Sequence, residues 1–144
     1  MRLYVLDTDV LGFAFQQHSA VLRPVQALTD QDSIVTTIIT FGEDLGGWLP
    51  ACSRARNGTT RTQAYGRLQR GLDFYRRWVC LPFDASAAVV FDELPAKKIR
   101  IGTNDLAIAA IAAIALSVNG VLVTRNVVDF NLIAGLRVED WTQE

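Results

Sequence analysis

The chain has 144 residues, 50% hydrophobic and 20% charged, with a formal net charge of −1. That length carries one domain, residues 1–144, with a core that needs no staples, and the net charge hides an uneven distribution, so it is the local charge that informs about partners. Two cysteines, Cys52 and Cys80, stand in no metal-ligand spacing and read as reduced thiols, which points to the cytoplasm.

The stretch Arg2 to Val10 reads as a short apolar strand that ends in a carboxylate, Asp7, with Thr8 and Asp9 following at once. A buried strand ending on a carboxylate is costly unless a cation or hydrogen bonds receive the charge, so Asp7 is a candidate ligand. Val10 to Phe15 and Val21 to Leu28 read as helices, and His18, the only histidine, falls on a polar loop between them. Ser33 to Ile39 is β-branched and reads as a buried strand. Thr40 then has the character of a helix N-cap and Glu43, three residues on, completes the spacing of a capping box, which is the structural alternative to a ligand role for Glu43.

Trp48 to Ala55 and Thr62 to Trp78 form an expected helical hairpin, the second helix with Tyr65, Leu68, Leu72 and Tyr75 on one face. Arg54, Arg56, Arg61, Arg67, Arg70, Arg76 and Arg77 all fall in this stretch, where Asp73 is the sole acid. Such a rim is either a solvated face or a surface for phosphates or an acidic partner, with Arg67 and Arg70 the candidate contacts. Val79 to Phe83 is a short strand that Pro82 confines to an edge, and Ala85 to Leu94 is a helix capped by Asp84. After a loop from Arg100, Thr103 or Asn104 caps the most apolar helix, Leu106 to Val118, which Asn119-Gly120 ends. Val121 to Thr124 is a buried strand, and Leu136 to Val138 adds a last edge strand. The Leu106 to Val123 region is Ala-rich and broken by Asn-Gly, so it reads as core helix plus strand and gives no membrane span.

Alternating strands and helices with short links describe an α/β domain around a parallel sheet, whose functional crevice lies at the carboxyl ends of the strands. Asp7, Glu43, Asp105 and the Asn126/Asp129 pair all fall at that edge. Packed carboxylates repel one another unless a divalent cation neutralises them, and an all-oxygen set favours Mg²⁺ or Mn²⁺ over Zn²⁺. No P-loop, dinucleotide fingerprint or nucleophile elbow occurs. A carboxylate cage on Mg²⁺ suits phosphoryl-ester hydrolysis, and a basic rim beside it suits a polyanionic substrate.

The segments LDTDV at Asp7, T-x-x-E from Thr40 to Glu43 with Gly47 beyond, RIGTNDLAIAAIA around Asp105, and LVTRNVVDF followed by GLRVEDW together resemble the PIN-domain endoribonucleases, specifically the VapC-type toxins of toxin–antitoxin pairs. The resemblance runs from Leu3 to Trp141. It implies a three-layer α/β/α sandwich with a central parallel sheet, and Mg²⁺- or Mn²⁺-dependent cleavage of RNA such as tRNA or another structured RNA. It also implies dimerisation and inhibition by a small cognate antitoxin. Asp7, Glu43 and Asp105 match the three core acids; the fourth position falls to Asn126 or, three residues on, Asp129. Asp9 stands where Asn is common and is expected to support the turn after the first strand beside Thr8. Thr124 matches a position that hydrogen-bonds near the site. The alternatives are a catalytically weakened PIN fold that binds RNA or a protein partner, with Asn126 in its favour, and a phosphatase of small phosphoesters.

Overall fold

A computed structural model describes residues 2–15, 24–94 and 103–143, with the side chains of 13–15 and 103–105 outside that description. The elements in chain order are β1 (Arg2–Leu6), α1 (Thr8–Phe15), β2 (Asp32–Thr37), α2 (Ile38–Arg54), α3 (Gly58–Tyr75), β3 (Cys80–Leu81), α4 (Ala85–Glu93), α5 (Thr103–Ser117), β4 (Val121–Val123), α6 (Val127–Phe130) and β5 (Arg137–Glu139). The five strands form one parallel sheet in the order β3-β2-β1-β4-β5. The sequence that stops on Asp7 is therefore the central strand, and the expected edge positions of β3 and β5 hold.

Period-two alternation in β1 feeds both faces of the sheet. Tyr4 and Leu6 pack with Val10, Leu11, Tyr75, Val121, Val123 and Trp141, which draws α1, α2 and α3 onto one face. Val5 packs with Val35, Ile111, Ala112, Ala115, Leu122 and Phe130 on the other, beneath α5. Helices cover both sides, giving the three-layer α/β/α sandwich. α5 is buried on most of its surface, with Ala109 and every residue from Ile111 to Ala115 in the core. Alanines at those positions let it sit close to the sheet.

Its end is as the Asn-Gly pair predicts. Asn119 takes a left-handed conformation (φ 55), Asn119 N–H reaches the Leu116 carbonyl at 3.1 Å and Gly120 N–H the Ala115 carbonyl at 2.9 Å, the two bonds of a Schellman cap. At Gly120 a Cβ would lie 3.2 Å from the Leu3 carbonyl oxygen, so the chain passes too close to β1 for a larger residue to fit without movement.

Several boundaries differ from the sequence reading. The hairpin's first helix begins at Ile38, well before Trp48, and continues through Pro50. Thr37 is its N-cap, accepting from the Thr40 N–H at 3.1 Å, so Thr40 is inside the helix and no capping box forms with Glu43. The reason is that β2 ends on two consecutive threonines and the second, Thr37, the last residue of the strand, takes the cap. In α3 the buried positions are Ala64, Gly71 and Tyr75, whereas Tyr65 and Leu72 are exposed. The small residues let α3 approach α2, and a Cβ on Gly71 would fall 2.2 Å from the Trp48 ring. The short helix after β4 spans Val127–Phe130 and carries Asp129 within it. His18, much of the Val21 to Leu28 helix and most of the loop from Arg100 lie outside the described residues.

Candidate metal-dependent nuclease site

Asp7 is where β1 hands the chain to α1. Its carbonyl accepts from Leu11 N–H at 2.9 Å as the first helical bond, and its Oδ1 accepts from the Thr8 N–H at 2.7 Å. The other carboxylate oxygen, Oδ2, accepts from the Thr124 hydroxyl at 2.8 Å. Thr124 is fully buried at the end of β4, and its Oγ1 also accepts from the Asn126 N–H at 3.0 Å. One hydroxyl thus joins the acid on the central strand to the start of α6.

From the neighbouring strand, Thr36 donates to the Leu6 carbonyl at 2.9 Å and fixes β2 against the last residue of β1. α2 follows β2 directly and carries Glu43, whose Oε1 accepts from the Thr8 hydroxyl at 2.8 Å. Thr8 therefore stands between Asp7 and Glu43, its amide on the first and its hydroxyl on the second. Burial pushes the Asp7 carboxyl above its ordinary range, opposed by the Thr8 and Thr124 hydrogen bonds and reinforced by Asp9. Glu43 moves the same way through desolvation, reinforced by the negative charges of Asp7, Asp44 and Asp9.

A cleft of about 430 Å³ opens at this edge, lined by Asp7, Thr8, Asp9, Glu43, Asn126 and Asp129, with Ala107, Ile108, Ile111 and Phe130 as its apolar wall. Four elements thus converge there. Asp9 is exposed in the first turn of α1, where it contributes charge to the cleft. Asn126 occupies the cap position of α6 without a side-chain cap bond, and Asp129 is exposed on the same short helix. Asp105 falls in the first turn of α5, and its side chain lies outside the described residues.

No protein-family model matches the chain. Ribonuclease VapC1 of Haemophilus influenzae (strain R2866) is 28% identical over 144 residues, covering 98% of this chain and 99% of that protein. The structure of VapBC-1 from nontypeable Haemophilus influenzae superposes with a TM-score of 0.75 at 26% identity, over 98% of this chain and 99% of the other. VapBC2 from Rickettsia felis, solved bound to a DNA fragment from its promoter, gives 0.71 at 26% identity over 96% and 98%. The chain is VapC-like in sequence and in fold. The whole length is shared, so the cleft sits within the common fold.

In this VapC-like chain a second acid stands beside Glu43 that the sequence reading passed over. Asp44 accepts a short hydrogen bond from the Tyr75 hydroxyl of α3. Burial raises its carboxyl, while Tyr75 and Arg67 oppose the shift. Consecutive helical positions point about 100° apart, so Glu43 turns to Thr8 and the acid cleft while Asp44 turns to the hairpin. The Glu-Asp dipeptide in Thr40 to Leu45 was the available signal. Arg67 lies with its guanidinium 5.8 Å from the Trp48 ring centroid and lines a separate cleft between α2 and α3. Arg70 is exposed and lines neither cleft.

The donor set fits a hard divalent cation, because carboxylate, amide and hydroxyl oxygens line the cleft and, among the described residues, no histidine or cysteine does. Burial raises the Asp7 and Glu43 carboxyls even though Thr8 and Thr124 donate hydrogen bonds to them, and a bound cation would act in the opposite direction. Among the described residues no three His, Cys, Asp or Glu side chains form a metal-holding group. Asp7 and Glu43 are the two carboxylates that Thr8 brings together, and Asn126 and Asp129 stand on the cleft's rim.

Proposed function

We propose that this VapC-like chain, as a single PIN-like domain of residues 1–144, is a Mg²⁺- or Mn²⁺-dependent endoribonuclease that hydrolyses phosphodiester bonds in tRNA or another structured RNA. The observation that carries the reading is the Asp7–Thr8–Glu43 cluster in a cleft at the carboxyl edge of the sheet. Asp7, Glu43, Asp105 and Asp129 are the proposed metal ligands, with Asn126 completing the fourth core position. Thr8 and Thr124 hold the two carboxylates in orientation, and Asp9 adds negative charge at the mouth. A bound divalent cation supplies Lewis-acid activation of the scissile phosphate and lowers the pKa of water. The chain's own part is to hold the ligand oxygens, to line one wall with Ile108, Ile111 and Phe130, and to seat the substrate.

The toxin role in the cytoplasm, the homodimer and the small antitoxin partner belong to the same proposal, supported by the VapBC complexes among the structural relatives. Arg67 and Arg70 are proposed to contact RNA phosphates or the antitoxin. Incubating the purified protein with a tRNA and rRNA pool tests the reading: discrete fragments with Mn²⁺ and none with EDTA are expected. A second reading, a PIN fold that binds without cutting, is favoured by Asn126 at a position where an acid is common; RNA retained but uncut with Mn²⁺ would establish it.

A further inference from the structure

The hairpin carries a second cleft, of about 590 Å³, where α2 ends and α3 begins. Its lining combines small apolar side chains, Ala51, Ala55 and Ala64, with the neutral polar groups of Asn57, Thr60 and Gln63 and three guanidinium groups, Arg54, Arg56 and Arg67. The other hairpin arginines have different attachments. Arg61 donates to the Ala55 carbonyl at 3.0 Å and closes the end of α2, and Arg76 pairs with Asp73 at 3.4 Å. Arg67 is oriented from behind by the Trp48 ring and by the charge of Asp44. No carboxylate lines the cleft.

An alanine floor is flat and apolar and excludes little volume, while arginines on the rim stack on aromatic planes and pair with phosphate oxygens. That pairing of surfaces matches one unpaired nucleotide, base on the floor and flanking phosphates on the rim. α2 links this cleft to the acids: Glu43 and Arg54 are eleven residues apart on one helix, about 16 Å along its axis. A strand seated in both clefts would be gripped a few nucleotides from the bond to be cut.

We infer that the cleft at the α2–α3 turn is an exosite for a single unpaired nucleotide of the RNA substrate, with Arg54, Arg56 and Arg67 on its phosphates. The inference rests on the ribonuclease reading for the identity of the strand, but its test uses binding alone. Fluorescence anisotropy of a single-stranded RNA of about twelve nucleotides is measured against salt on an Asp7→Asn background. Adding Arg54→Ala with Arg56→Ala is expected to weaken binding about tenfold and to flatten the log–log salt slope by about 1.4, the value for two phosphates on a single strand. Arg76→Ala with Arg77→Ala removes the same charge outside the cleft and should weaken binding less than about threefold. Ala51→Leu keeps every charge and fills the floor, and should weaken binding severalfold. Equal losses in the two arginine pairs would reduce the effect to diffuse charge, and parent-like binding by Ala51→Leu would remove the base from the floor; either result overturns the inference. So would RNA binding that survives Arg54→Ala with Arg56→Ala while binding of polyglutamate is lost, which would give the cleft to an acidic protein segment. RNA bound through this cleft but never cut by the parent protein would refute the nuclease and leave the exosite standing.

Discussion

The Thr8 hydroxyl donates to Glu43 Oε1 at 2.8 Å while the Thr8 amide donates to Asp7 Oδ1 at 2.7 Å, so one residue sets the spacing of the two acids. Thr8→Val removes the hydroxyl and keeps the amide. Glu43 is then free to swing, and because a displacement of about 1 Å at reacting groups costs roughly 100-fold, RNA cleavage should fall roughly 10- to 100-fold with the thermal midpoint almost unchanged. Unaltered cleavage by this variant would mean that Glu43 is positioned by other contacts.

Thr124 plays the corresponding part from β4, but it is fully buried and serves both Asp7 and the Asn126 amide. Thr124→Val leaves those two groups short of a partner. A loss of about 1–3 kcal/mol in urea unfolding is expected. A loss below about 0.5 kcal/mol would show that the hydroxyl is dispensable to the fold.

Metal-free stability should fall as pH rises above the ordinary carboxylate range. An acid whose native pKa is raised holds its proton longer in the native state than in the unfolded one. The native state therefore binds more protons in the interval between the two values, and stability is lost as pH rises through it. Burial places Asp7 in that position, and Glu43 and Asp44 shift the same way. Asp7→Asn removes the most buried member, so in EDTA the variant should gain on the parent as pH rises above the ordinary carboxylate range. Parallel stability curves for the two proteins would contradict the assignment.

The hairpin makes an independent prediction. A Cβ at Gly71 meets the Trp48 ring at 2.2 Å, so Gly71→Ala must push α3 from α2 or displace the indole. Overpacking of this kind costs about 1–3 kcal/mol, equivalent to a drop of roughly 3–10 °C in thermal midpoint for a chain of this size, with a change in tryptophan emission. An unchanged midpoint would mean that the ring has room to turn aside.

The fold was legible because burial leaves a strong pattern. β1 reads as a continuous apolar run, α5 as an alanine-isoleucine block, and Asn119-Gly120 as a stop, and each formed where its residues indicate. The hairpin was less legible. Its contact face is built from Ala64 and Gly71, residues whose value lies in being small against Trp48, and hydropathy gives them no weight beside the larger but exposed Tyr65 and Leu72. The cap of α2 was misplaced for a local reason, since Thr36, Thr37 and Thr40 are all competent oxygens and only the sheet register decides which leaves first. In the cleft, the segments that carry Asp7, Glu43, Asn126 and Asp129 were readable from their position after strands. Asp44 was not, because its significance depends on Tyr75, thirty-one residues away.

Asp7 is held at the strand end and helix start through its amide on the Val123 carbonyl, its carbonyl under the Leu11 amide, and its carboxylate under the Thr8 amide and the Thr124 hydroxyl, and it is the proposed centre of metal binding and chemistry. The most direct test compares parent and Asp7→Asn for Mn²⁺-dependent cleavage of the RNA fragmented by the parent, with a thermal scan of each protein beside it. Cleavage at least about 100-fold slower in Asp7→Asn is expected, because a ligand and its charge are lost together. Mn²⁺ at roughly a hundred times its Kd should stabilise the parent by about 2.7 kcal/mol and the variant by much less. Cleavage by Asp7→Asn at the parent's rate, with the fold intact, would contradict the account.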